Sequence, residues 1–409
     1  MFNLIFKTAF LSLIRRKLRT TLVILMIATS LWGLLFMQGI YEGMTEQMIT
    51  NAIKSDSGHL SIYAKDFRKD KSLELQMINS KNIEDIIKKE KHIKSYTKRV
   101  LTNGLIATAT YSQATQIYGI DLELEKNHSS LDKYIQNGTY QLGKKNNGAI
   151  VGFKLAKKLK LKIGKKIILT SQDIDNEVTS ISLKVKAIIK TSNMAIDEMG
   201  VFIDINQAKK FLNIKGVHQL SIIFDDEKNI VSLQDNLKAE FKNSSKQYSI
   251  LRWDELYPAL LQGRVMMEQF SFISYTLVFF TATIGIFGVI LVSVMERLRE
   301  FGILRAIGTK FTILAQIIFL ESFIIGIIGF ILGSILGGVT LYYFSIYGLD
   351  LSSFSDALDE FGMDAVIYAV IKIDYFLTAF ISVIIATVLS VLFPLRVLKK
   401  SKIVDVING

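Results

Sequence analysis

There is no cysteine in this chain of 409 residues, which excludes disulfide staples, thiolate metal ligands and thiol nucleophiles. Only two prolines occur, so long helices can run without breaks. The four histidines, at 59, 92, 128 and 218, are far apart and show no H-E-x-x-H spacing, so no metal site is expected. There is no Gly-x-Ser-x-Gly elbow and no carboxylate pair at catalytic spacing, and no residue is assigned a catalytic role. Gly138-Thr-Tyr-Gln-Leu-Gly143-Lys144-Lys145 approaches a nucleotide-binding loop. That loop needs Ser or Thr after its Lys to hold Mg²⁺, so Lys145 disqualifies it and a surface turn is expected. The net charge of +12 invites a nucleic-acid reading, but the Lys residues are scattered, no nucleic-acid motif is present, and no such partner is expected.

What is present is apolar. Half of the residues are hydrophobic and gather in four long blocks, as in a polytopic membrane protein with a large soluble insert. The expected fold class is an α-helical membrane protein with four transmembrane helices and a large α+β extracytoplasmic domain between helices 1 and 2. Residues 1–19 end in Arg15-Arg16-Lys17-Leu18-Arg19 and read as a cytoplasmic interfacial helix near lipid headgroups. Transmembrane helix 1 is expected at 20–41, longer than a signal peptide and without its small-residue cleavage site. The remaining spans are expected at 270–294, 311–344 and 374–395. A charged linker at 295–310, an acidic outer loop at 345–373 and a basic tail at 396–409 separate and follow them. The short basic segments place both termini and the linker on the cytoplasmic side. The loop with Asp350, Asp356, Asp359, Glu360 and Asp364 then faces outward.

The insert, 42–269, alternates strand-like and helix-like stretches. His59–Tyr63, Tyr96–Thr110, Gln219–Phe224 and Tyr248–Leu251 alternate as strands, and Ile83–Ile93 and Asn229–Phe241 have helical period. A β-rich insertion at 115–212 is expected between these two halves.

The linker carries the most information. Leu298, Phe301, Leu304 and Ile307 recur at helical spacing, so one side is apolar, while Arg297, Arg299, Glu300 and Arg305 occupy the rest. Such a helix can dock in a groove on another protein. Glu296-Arg-Leu-Arg-Glu-Phe-Gly-Ile-Leu-Arg-Ala-Ile-Gly308 resembles the E-R-x-R-E-I-G-x-L-R-A-I-G signature of the FtsX/MacB/Lol-type (type VII) ABC transporter permeases. Gly58-His59-Leu60, the run from Val151 to Gly164, and Trp253-Asp-Glu-Leu256 with Pro258 resemble further motifs of that family, so the resemblance covers essentially the whole chain.

The resemblance implies a coupling helix in which Glu296, Arg297, Arg299, Glu300, Gly302, Leu304, Arg305 and Gly308 meet a separate ATPase, LolD-like. That subunit would bind the ATP and Mg²⁺, and this chain no cofactor. A homodimer or a heterodimer with a paralogous permease is implied, in the bacterial inner membrane. Within the family, the LolC/LolE subunits of lipoprotein release (LolCDE) fit best. The substrate would be a lipoprotein, drawn from the outer leaflet by mechanotransmission and passed to a LolA-like periplasmic carrier. A MacB-like efflux permease for peptides or drugs, and an FtsX-like mechanical regulator of an extracytoplasmic enzyme, are the alternatives. Two departures stand out: Ile403 replaces a Pro of the family's tail, and the turn at Ser171–Ser180 is short where one lipoprotein-releasing paralogue has a long hook.

Three further features of the spans are singled out. Met37, Ile40, Met44 and Met48 share one side of span 1 if it continues outward as a helix, and Met266, Met267 and Phe270 open span 2 at the same height. They either line a site for a substrate acyl chain or pack the spans together. Glu321 is the lone acid within a span, and pairing with Arg305 or Lys310 is expected rather than proton relay. Span 3 carries Gly326, Gly329, Gly333, Gly337 and Gly338 for packing within the protomer, and Gly39-x-x-x-Gly43 suggests a dimer contact for span 1.

Overall fold

A computed structural model describes residues 2–78, 80–90, 92–142, 147–191, 193–225, 230–241, 248–360 and 363–400. The turn at 143–145 and the tail beyond 400, including Ile403, lie outside the described residues. The chain forms two compact units. One comprises Met1–Thr45, Gly263–Asp350 and Val366–Gly409, and the other Glu46–Gln262 and Leu351–Ala365.

The first unit is a helical bundle. Four helices are long and apolar enough to cross a membrane: Lys17–Ala52, Pro258–Glu296, Phe311–Tyr347 and Ile373–Lys400. An amino-terminal helix, Phe2–Arg15, precedes them. The first two long helices extend well beyond the uncharged stretches at 20–41 and 270–294, because polar residues with good helix propensity continue the pattern at their ends. Ile27, Leu31, Leu35, Ile286, Ile290, Ile318, Ile325 and Ala386 are buried between helices. Phe272, Ile284 and Val339 are among many large apolar side chains left outside, at 73%, 67% and 65% exposure. Apolar residues on both the inside and the outside are what a lipid solvent allows.

Glycines bring the helices together. A methyl group added at Gly333 would lie 2.9 Å from Ala28 O and Leu31 Cβ, and one at Gly337 2.7 Å from Leu35 Cδ1. Gly329 abuts Ile27 and Gly326 abuts Thr387, so the stripe on the third spanning helix serves the first helix and, at one end, the fourth. Gly39 and Gly43 correct an expectation. They are buried within the protomer, Gly39 against Leu341 and the Val370 carbonyl and Gly43 against the Tyr368 carbonyl, so this pair is not free for a dimer. The Val370 N–H donates to Gly39 O at 2.9 Å, which a side chain there would prevent. Leu349–Asp350 and Val366–Ile367 pair as a short antiparallel ribbon.

The second unit is an α+β domain. Its strands are β1 (Leu60–Ala64), β2 (Ile93–Ala107), β3 (Ser112–Ile120), β4 (Ile135–Gly138), β5 (Gly148–Gly152), β6 (Lys166–Gln172), β7 (Val178–Ile189), β8 (Gly200–Asp204), β9 (Gln219–Phe224) and β10 (Tyr248–Arg252). They form one ten-stranded sheet in the order β10-β1-β9-β2-β3-β8-β5-β7-β4, with β6 paired to β2 and β7. Helices Ser80–Lys89 and Ile230–Phe241 bury Ile83, Ile87, Leu233 and Leu237 in the core with Leu60, Ile62, Leu220 and Ile250. The strand-rich stretch expected at 115–212 contains most of β3 and all of β4 to β8, and among the described residues the sheet runs through it without a break. β2 is 15 residues long and pairs β9 through its first half and β3 through its second. The β6–β7 hairpin turns tightly, with the Asp173 N–H donating to Glu177 O and Asn176 at φ 63°.

Candidate functional site

The charged linker folds as an elbow. The second spanning helix ends at Glu296, Arg297 leaves helical geometry (φ −106°, ψ 11°), and a new helix runs Leu298–Ala306. Gly308 closes it at φ +96°, where a β-carbon would be strained, and the third spanning helix starts after Lys310. Phe301 is 1% exposed and packs with Leu298, Leu304, Leu314 and Ile318. Ile307 departs from the expected apolar side: it is 75% exposed, because the helix has ended and the chain is turning away. Ile303 is also exposed.

The charged residues divide into two sets. Glu296 pairs with Arg16 and lies 3.6 Å from Arg19. Arg297 donates from Nη1 to Glu321 Oε1 at 2.8 Å and from Nε to Glu300 Oε2 at 3.2 Å, with its guanidinium 4.8 Å above the Phe301 ring. Arg297 points into the bundle, while Glu296 stays half exposed beside the amino-terminal arginines. Arg299 and Glu300 face outward, and Arg305 is half-buried, donating to the Leu398 carbonyl at 3.2 Å. Gly302 is buried beside Phe301, where the helix backs onto the bundle. The outward face thus joins one cation and one anion to Ile303 and Ile307.

Glu321 is 2% exposed, and its partners differ from those expected. They are Arg297 and the Ser12 hydroxyl, not Arg305 or Lys310. The break at Arg297 sends that side chain back toward the bundle, while Arg305 lies two turns further on and reaches the last helix.

Met37, Met266 and Phe270 are about half exposed (47%, 50% and 52%), whereas Ile40 is buried and Met44 and Met267 are half-buried. The Ser271 hydroxyl donates to Gln38 Oε1 at 2.7 Å and pins the first two spans together at this level. Met48 belongs to the other unit.

In the domain, a buried polar cluster was not singled out from sequence. Arg99, 1% exposed, donates to both Glu125 oxygens at 2.6 and 3.0 Å and to the Asp56 carbonyl at 2.5 Å. Arg99 holds the Glu125 carboxyl down at about 2 against the effect of burial. Burial lowers His128 to about 3, and this neutral ring bonds Ser221 at 2.8 Å. Tyr257, just before the second spanning helix, donates to the Asp56 carboxylate, and Asp56 sits in a π-helical turn, Ile53–Ser57, just after the first. One sequence signal was available: Lys98-Arg99 interrupts the apolar alternation of a strand with two charges, one of which had to face inward.

Four spanning helices, a large α+β domain between the first and second, and a charged elbow between the second and third define a class of multi-pass membrane protein with an extracytoplasmic-type domain. Two family models match it: the MacB-like periplasmic core domain over residues 20–240 and the FtsX-like permease C-terminal over residues 272–403. The chain belongs to this family of ABC transporter permeases, whose members work with an ATPase. It is similar to the lipoprotein-releasing system transmembrane protein LolE of Haemophilus influenzae, 20% identical over 286 residues, covering 68% of this chain and 66% of that protein. It is also similar to the uncharacterized ABC transporter permease MJ1507 of Methanocaldococcus jannaschii, 23% identical over 157 residues, covering 38% and 39%. The chain therefore spans less than two thirds of either relative. The periplasmic region of MacB from Actinobacillus actinomycetemcomitans aligns over 49% of this chain and 91% of its own, at 13% identity and TM-score 0.36.

Proposed function

We propose that this chain is the non-catalytic permease subunit of a lipoprotein-releasing ABC transporter in a bacterial inner membrane. The observation that carries the reading is the likeness to LolE across 68% of the chain, spanning bundle and domain. The basic ends support cytoplasmic termini and a cytoplasmic elbow, and the acidic loop an outer side for the domain. A LolD-like ATPase binds the ATP and Mg²⁺ and presses on the outward face of Leu298–Ala306. Arg299, Glu300, Ile303 and Ile307 present two charges and two apolar side chains there. The push passes through Arg297 to Glu321 in the third spanning helix and Ser12 in the amino-terminal helix.

The protomer pairs with itself or with a paralogue. A lipoprotein is drawn from the outer leaflet, with its acyl chains near the exposed Met37, Met266 and Phe270, and handed to a LolA-like carrier. The tight β6–β7 turn fits the partner that lacks a long hook.

Depleting the protein, separating the membranes and locating acylated lipoproteins tests this. Retention in the inner membrane is expected. Normal sorting, with any paralogue also depleted, would overturn the reading and favour efflux or regulation of an outer enzyme.

A further inference from the structure

A cleft of about 280 Å³ lies between the amino-terminal helix and the end of the second spanning helix, and the function above assigns no ligand to it. Its lining includes three arginines, Arg15, Arg16 and Arg297, three hydroxyl residues, Thr8, Ser12 and Ser293, and Leu11 and Glu300. An adjoining shallow concavity shares Arg15 and Arg16 and adds Lys17, Arg19 and Glu296.

The charges do not cancel. Five basic groups, Arg15, Arg16, Lys17, Arg19 and Arg297, meet three carboxylates, Glu296, Glu300 and Glu321, so two positive charges are left over. Arg16 and Arg297 are held by Glu296 and Glu321. Among the described residues, Arg15 is exposed with no partner and Arg19 Nε is a buried donor without an acceptor.

The same segment is oily on its outside. Phe6, Phe10 and Ile14 recur every fourth residue at 44%, 46% and 50% exposure, and Phe6 and Phe10 stack at 6.3 Å. A ligand that satisfies both features has an anionic head and a long apolar tail. A phosphate diester matches guanidinium forks and hydroxyl donors, acyl chains match the exposed Leu11 in the lining, and the apolar stripe sets this helix against lipid.

We propose that this cleft binds the phosphate headgroup of an anionic phospholipid from the bordering leaflet, with its acyl chains leaving past the exposed Leu11 of the cleft lining. The inference depends on the bundle lying in a bilayer and not on lipoprotein release. Because Arg297 also holds Glu321 and Glu300, the headgroup would sit against the same hinge that the elbow moves.

Native mass spectrometry of the full-length protein in detergent, titrated with phosphatidylglycerol or phosphatidylcholine, tests it. Selective retention of phosphatidylglycerol is expected. Arg15→Ala touches an exposed, unpartnered side chain and should weaken that retention about tenfold. Lys7→Ala removes the same charge from the same helix outside the cleft and should leave it unchanged. Equal retention of both lipids, or equal loss in the two variants, would overturn the site. Displacement of phosphatidylglycerol by inorganic phosphate at millimolar concentration would assign the cleft to a soluble anion and overturn the lipid.

Discussion

Glu321 is a carboxylate with 2% exposure in a helix that is otherwise uncharged, and its environment explains how it is tolerated. Arg297 and Ser12 supply donors from two other helices, so the charge is paired and hydrogen-bonded. Removing one partner strands the other. Glu321→Gln should therefore cost about 3–5 kcal/mol, and Arg297→Met a similar amount. The Arg297→Met/Glu321→Leu double variant should lose less than the sum, as read from thermal unfolding in detergent. Additive losses would mean that the two groups do not interact. In the domain, His128 is lowered from 6.5 to about 3, so the unfolded chain takes up a proton that the folded one refuses. Its stability contribution is complete above pH 6.5 and is lost as pH falls toward 3. His218, lowered to about 4, acts with the same sign. Glu125, lowered to about 2 from 4.5, adds a second loss at lower pH. Melting of the full-length protein should thus fall between pH 7 and pH 5, and His128→Gln should flatten that slope without abolishing it. An unaltered slope would place the titration elsewhere.

Among the elements, the third spanning helix is specified by where its glycines point. Gly333 and Gly337 admit Leu31 and Leu35 of the first helix at distances that leave no room for a β-carbon. Gly338, one position on, has only the Phe376 ring at 3.9 Å. Gly333→Val should accordingly lower the detergent melting temperature by several degrees, on the order of 1–3 kcal/mol of overpacking. Gly338→Val should be nearly silent. A similar drop in both would point to helix propensity rather than close approach. The elbow is specified in another way. Its break at Arg297 and its glycine stop at Gly308 cut a nine-residue helix out of what would otherwise be a continuous spanning hairpin. Phe301 then anchors one side of that helix and leaves the other free.

For the whole molecule, the proposed function makes the elbow the point where force from a partner ATPase enters. Glu300→Ala removes an outward carboxylate whose side chain is 61% exposed, so folding should survive while transport per ATP hydrolysed drops severalfold. Arg305→Ala should do the same but also loosen the end of the last helix, because its guanidinium holds the Leu398 carbonyl. A coupled-transport assay beside a melting curve separates the two effects. Unchanged coupling in Glu300→Ala would count heavily against the elbow as the point of contact.

The spans, the position of the elbow and the alternation of strands and helices were legible in the sequence, because each rests on local periodicity against a solvent, whether lipid or water. The family was legible because its signature is one contiguous stretch, Glu296 to Gly308. The tertiary structure decided the pairings. Glu321 met Arg297 and Ser12 rather than the neighbours that counting turns suggested, because a single non-helical residue redirects a side chain. Gly39 and Gly43 were used up inside the protomer because the ribbon after the third span folds back onto them. Arg99 found Glu125 and Asp56 only once β2 was laid between β9 and β3 with the helix Leu122–Ser129 packed alongside. Such contacts join residues distant in sequence. No period encodes them, and they exist only when burial forces each polar group to find a partner.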